Sequence, residues 1–139
     1  MEWNRLVPAL TVADFAASLQ FYTEQIGFAV VFSRTDPAFA SLNFEGAQLM
    51  LEACHPNGWE VAALAKPYGR GMNLLIQCAD VITLRDRLVD FSYPLYREIE
   101  ETWYDTGETL SGYQEFLVQD PDGYLLRFSQ HVGEREKQK

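Results

Sequence analysis

Between Glu98 and Glu108 the chain sets five carboxylates around the large rings of Trp103 and Tyr104, with Arg97 as the adjacent cation. A cationic planar ligand would find charge complementarity and a stacking face there. The competing reading is a solvated loop whose rings tuck onto the core. Histidine and cysteine offer less chemistry, with only two of each. Cys54 and His55 adjoin in a turn. Such a pair makes a nucleophile or half a metal site only when other groups complete it, and none stands near, so both read as structural. His131 lies near the charged tail. Two histidines in these settings support no Ser-His-Asp arrangement, and neither a phosphate loop nor a Gly-x-Gly-x-x-Gly is present.

The balance of 20 acidic against 11 basic residues gives a net charge of −9. No basic stripe is visible, so a nucleic-acid partner is not expected. The negative field either draws cationic small molecules into a cleft or only aids solubility. Apolar residues are 47% of the 139, as in an ordinary globular chain, which excludes a disordered or collagen-like one. No apolar run approaches the ~18 residues that cross a bilayer, so no membrane association is expected. The first residues lack a basic region followed by a greasy stretch, and the expected location is the cytoplasm. Two plainly spaced cysteines make neither a disulfide framework nor a thiolate zinc site.

The elements that must position any site follow from patterning. Residues 5–12 read as a strand, with Pro8 suggesting an edge or an arm. Asp14 caps a helix whose apolar face is Phe15, Leu19, Tyr22 and Ile26, and Gly27 stops it. Strands at 28–34, 39–44 and 48–54 follow. Residues 55–71 form a linker bounded by two turn clusters, with a short helix expected at 59–65 behind Asn57. The pattern then restarts. A strand at 72–78 leads to Asp80, the cap of a second helix bearing Val81, Leu84, Leu88 and Phe91. Strands are expected at 95–102, 113–119 and 124–130, the last two joined by the turn Asp120-Pro121-Asp122-Gly123. A charged tail from residue 133 reads as frayed. The chain is thus a single domain of two repeats, 5–54 and 72–131, neither able to bury a core alone. The expected fold class is α+β, two βαβββ repeats forming a curved mixed sheet with a concave cleft.

Val7-Pro8-Ala9-Leu10-Thr11-Val12-Ala13-Asp14, Phe21-Tyr22, Ile26-Gly27-Phe28 and Asp120-Pro121-Asp122-Gly123-Tyr124 together resemble the vicinal oxygen chelate superfamily of glyoxalases, dioxygenases and bleomycin-resistance proteins. Enzymes of that superfamily hold a divalent metal on four strands. The resemblance places those four positions on Val7, Glu52, Asn73 and Arg127. Only Glu52 is a sound ligand, Asn73 is weak and neutral, and Arg127 is a fixed cation, so neither metal nor other cofactor is expected. The start of the chain and Phe39-Ala40 look most like the bleomycin-resistance branch, which binds its drug unaltered in clefts at a dimer interface. That branch often has a Trp-Gly pair where Ser111-Gly112 stands here, so Trp103 and Tyr104 would have to supply aromatic surface.

Strand alternation then groups side chains. If Glu52 and Arg127 face the cleft, Phe39 and Ser41 join them, with Gln114 and Phe116 opposite. Phe39 is either a stacking platform or core, as is Phe116. Glu52 and Arg127 either bind a polar ligand group or pair with each other or with a partner chain. Asn73 either orients a ligand or bonds a neighbouring strand. The expected function is a metal-free homodimeric binding protein for a cationic or aromatic small molecule, with Phe39, Ser41, Glu52, Asn73, Trp103, Tyr104, Gln114, Phe116 and Arg127 as ligand contacts. The alternative is a glyoxalase- or dioxygenase-type lyase or oxidoreductase that uses Glu52.

Overall fold

Among the described residues eight strands and two helices follow the order expected of a doubled βαβββ unit. The structure is a computed structural model that describes residues 2–138. The first repeat holds β1 (Ala9–Val12), α1 (Phe15–Gln20), β2 (Ala29–Thr35), β3 (Ala38–Phe44) and β4 (Ala47–Ala53). The second holds β5 (Asn73–Gln77), α2 (Val81–Asp90), β6 (Arg97–Asp105), β7 (Thr109–Gln119) and β8 (Leu125–Glu136). The fold is α+β. The strands form two four-stranded sheets of matching order, β1-β4-β3-β2 and β5-β8-β7-β6. In each, the first strand pairs parallel with the fourth and the other neighbours are antiparallel.

Local chemistry explains the helix starts. The Asp14 carboxylate accepts from the Ala17 N–H at 3.1 Å and Asp80 from the Thr83 N–H at 3.0 Å, each satisfying an orphan donor of its first turn. After Gln20 the first helix widens into a π-helical stretch, Phe21–Ile26, and ends at Gly27 with φ of 114°.

The chain divides into two compact units, Met1–Arg70 with Asp120–Tyr124, and Gly71–Gln119 with Leu125–Lys139. The Asp-Pro-Asp-Gly turn is a clasp within the first unit. Asp120 is 3% exposed. It accepts from the Tyr22 hydroxyl at 2.7 Å and from the N–H groups of Asp122 and Tyr124 at 2.9 Å. Asp122 accepts from the Ala13 N–H at 3.0 Å, and the Tyr124 hydroxyl donates to the Thr11 carbonyl at 2.9 Å.

Four expectations need correction. Regular pairing starts at Ala9 rather than residue 5: Pro8 has no N–H, and its carbonyl takes the last bond from Met50. Residues 2–8 instead form an arm. Gln48 donates to the Glu2 carbonyl at 2.7 Å, and the Trp3 ring meets Phe32 edge-on at 5.9 Å. The linker forms no helix at 59–65, where Trp59 is 98% exposed. A short segment without a buried face cannot offset the cost of helix nucleation. Strands β6 and β7 run on past 102 and begin before 113, so residues 98–108 are a hairpin rather than a loop. The tail is not frayed from residue 133, because β8 stays paired with β7 as far as Thr109↔Glu136.

Candidate functional site

On one face of the second sheet, Arg127 of β8 lies directly between Leu117 of β7 and Leu75 of β5. Its Nε donates to Glu115 Oε2 at 2.9 Å, and the Tyr104 hydroxyl of β6 donates to Glu115 Oε1 at 2.6 Å. The Arg127 guanidinium sits 6.0 Å from the Tyr104 ring centroid. Burial pushes the Glu115 carboxyl up, but the Tyr104 hydroxyl, the Arg127 guanidinium and the Ser129 hydroxyl outweigh it and hold it below the usual value. The Tyr104 phenol is pushed above its ordinary range, first by that bond to Glu115 and then by burial. The three side chains form the wall of a cavity of about 250 Å³, which Asn73, Leu125, Arg97, Glu98 and Glu100 also line.

Removing the Tyr104 hydroxyl should be felt here. Tyr104→Phe is expected to cost about 1 kcal/mol at neutral pH, since it deletes a hydrogen bond to a charged acceptor. Glu115 has its folded pKa depressed, so its stabilisation is present above the unfolded value and fades as pH falls through the folded one. With one donor gone the depression shrinks, so Tyr104→Phe should lose its acid stability at higher pH than the parent. Urea melts from pH 3 to 7 check both effects; superimposed curves would count against the assignment.

The expected contact residues fall into three groups. Asn73, Tyr104 and Arg127 share the cavity just described. Phe116 reaches its lining, but its side chain is buried and stacks on Phe128 at 5.5 Å. Gln114 and Trp103 lie on the other face, which corrects the expected side assignment. The pairing is Leu117↔Arg127 and Gln114↔Glu101, so odd-numbered residues of β7 from 113 onward share the face of Arg127. Because β6 is a strand, adjacent Trp103 and Tyr104 point to opposite sides. The Trp103 ring packs on Gly112, where a Cβ would come within 2.6 Å of it, and Arg135 caps the ring at 3.7 Å.

Phe39, Ser41 and Glu52 lie on one face of the first sheet, through the pairs Phe39↔Glu52 and Ser41↔Met50. Phe39 is 8% exposed, Ser41 is buried, and the Arg34 guanidinium covers the Phe39 ring at 4.6 Å. Glu52 stands 3.4 Å from His55. Glu115 carries a signal legible in the chain, since it alternates with the buried pair Phe116 and Val118.

Ser111, Glu134 and His131 also converge. The serine hydroxyl donates to Glu134 at 2.6 and 2.8 Å, and His131 Nε2 lies 3.3 Å from the same carboxylate. The carboxylate stands between serine and imidazole, so the imidazole does not reach the hydroxyl as in a Ser-His-Asp arrangement. A divalent metal does not suit the cavity either. Of the two implied ligand positions in this unit, Asn73 offers a neutral amide and Arg127 a guanidinium without a lone pair. Among the described residues no three His, Cys, Asp or Glu side chains group to hold an ion.

This doubled βαβββ architecture is that of a known superfamily. The chain belongs to the Glyoxalase/Bleomycin resistance protein/Dioxygenase superfamily, whose family model matches residues 5–128. It is 26% identical over 135 residues to a bleomycin resistance protein of Geobacillus stearothermophilus, covering 91% of this chain and 96% of that protein. A bleomycin resistance protein of Staphylococcus aureus matches to the same extent. Two solved structures share the fold. A virulence protein from Salmonella typhimurium superposes with a TM-score of 0.67 at 21% identity, covering 95% of this chain and all (100%) of that one. A glyoxalase/bleomycin resistance protein/dioxygenase from Alicyclobacillus acidocaldarius gives 0.66 at 18% identity, with 94% and 92% covered. No helix among the described residues is long and apolar enough to cross a membrane.

Proposed function

We propose that this protein holds a small cationic or aromatic molecule without transforming it, and needs no metal to do so. The observation that carries this reading is the ion pair between Arg127 and Glu115 at 2.9 Å. It puts a neutralised cation where a catalytic metal would need a ligand. With Arg127 offset by Glu115 and Glu98 by Arg85 at 2.6 Å, Glu100 is the carboxylate of the lining left for a cation. A cation meets Glu100 there, the Tyr104 ring offers it a face, and the Asn73 amide orients it. We place the working protein in the cytoplasm as a homodimer, without nucleic-acid or membrane partners.

A thermal-shift screen with bleomycin, cationic intercalators and polyamines tests the reading, since any ligand of the native state raises the midpoint. At least one cationic or aromatic compound should stabilise the protein, and the Glu100→Gln variant should respond less to a cationic one. Silence across the panel sinks the proposal. Sedimentation at micromolar protein tests the dimer.

One observation favours a second reading. His55 Nε2 is buried without a hydrogen-bond partner among the described residues and stands 3.4 Å from the Glu52 carboxylate, an acid–base pair that a small movement would bring within hydrogen-bond reach. Stoichiometric zinc, nickel, manganese or iron in the purified protein, lost with Glu52→Gln, would support an enzyme instead.

A further inference from the structure

We infer that the cavity of the second unit takes a small amino carboxylate, a ligand carrying an ammonium and a carboxylate together; this rests on the reading of that cavity as a ligand site. The strand register sorts its charges into rows. Arg97 and Arg127 are both partners of Leu117, so two guanidinium-bearing residues flank one apolar side chain. The next row holds Glu100 directly opposite Glu115. A bulge lies between Arg97 and Glu100, and both residues line the cavity. Two residues along a strand span about 7 Å, which sets the spacing of the two rows.

The pairing within these rows leaves one demand of each sign. Glu115 is occupied by Arg127 and Tyr104. Arg127 commits its Nε to Glu115, and among the described residues its two Nη groups have no acceptor. Among the same residues neither Arg97 nor Glu100 takes part in an ion pair. A plain cation satisfies Glu100 and leaves the guanidinium edges unmatched. A plain anion satisfies the guanidinium groups and meets Glu100 unpaired. Only a ligand with both charges engages both rows, so it gains a charge contact that either single-charge competitor lacks. Tyr104, Leu117 and Leu125 provide apolar wall for whatever joins the charges. The cavity of about 250 Å³ lies below the ~300–1,000 Å³ typical of pockets for drug-sized molecules, so the ligand is small.

The probe is 4-(aminomethyl)benzoate, a flat molecule with its two charges at opposite ends. Benzylamine and benzoate each keep the ring and one charge. Titrations followed by the amide resonances of β6, β7 and β8 read all three affinities on the intact protein and on two exposed-site variants, Glu100→Gln and Arg97→Gln. The two-charge probe is expected to bind at least about tenfold more tightly than either control, a difference of about 1.4 kcal/mol. Glu100→Gln should abolish its advantage over benzoate, and Arg97→Gln should cut its advantage over benzylamine. If benzylamine binds as tightly as the two-charge probe, the inference fails while the cation-holding function stands. If benzoate binds best, or if none of the three shifts a cavity resonance, the inference and that function fall together.

Discussion

Asp120→Ala is expected to cost about 3–5 kcal/mol, a large share of the ~5–15 kcal/mol that holds a domain folded. The carboxylate is buried and accepts from three groups, the Tyr22 hydroxyl and the N–H groups of Asp122 and Tyr124. Alanine removes that acceptor from all three donors, and Tyr22 is itself fully buried at 0% exposure. Asp120→Asn should recover most of the loss, because its amide oxygen still takes the two N–H bonds and its amide nitrogen can donate to the tyrosine oxygen. The pH dependence separates the two roles of the carboxyl. Burial raises its pKa against the three bonds that lower it. A raised folded pKa means that stability declines as pH rises from the unfolded value through the folded one. Asp120→Asn should lack that slope. Denaturant melts of the parent and both variants from pH 4 to 8 test this; an alanine variant within about 1 kcal/mol of the parent would refute the clasp.

Arg127→Ala is expected to cost about 2–3 kcal/mol. Its partner Glu115 is only 12% exposed in its side chain and would be left charged with two hydroxyl donors. The double variant Arg127→Ala with Glu115→Ala should lose less than the sum of the single losses, since neither charge is then stranded. The gap between parent and Arg127→Ala should also close in acid. The depressed folded pKa of Glu115 makes its contribution available above the unfolded value, and protonation removes it as pH falls through the folded one. Additive losses, or a gap that persists at pH 3, would show that the pair is not the source.

Features governed by nearest neighbours were readable from the chain. Asp14 and Asp80 cap helices, Gly27 ends one and Gly123 closes a turn, because each role needs only a few adjacent atoms. Of the cavity, Asn73 and Arg127 were also within reach of the superfamily's ligand positions, and Tyr104 of the acidic segment that surrounds it. Glu115 and the placement of Trp103 and Gln114 were not fixed that way. Which face a strand residue takes depends on its register with a partner strand, and a shift of one residue reverses every assignment. The bulges at Arg97/Glu100 and Gly112/Tyr113 make such a shift hard to foresee. The arm over Gln48 and Phe32 depends on contacts with residues far along the chain, and the linker on finding no apolar partner.

Strand β6 is outermost in its sheet, so one side of its backbone has no neighbouring strand. Such a rim invites end-to-end growth of sheets between molecules, and mutual repulsion is the usual guard. Arg97, Glu98, Glu100, Glu101 and Asp105 lie along that rim, so charges that include three of the cavity's lining residues also guard against copies of the protein zipping together. Altering selectivity by stripping these charges would therefore be bought with a greater tendency to precipitate.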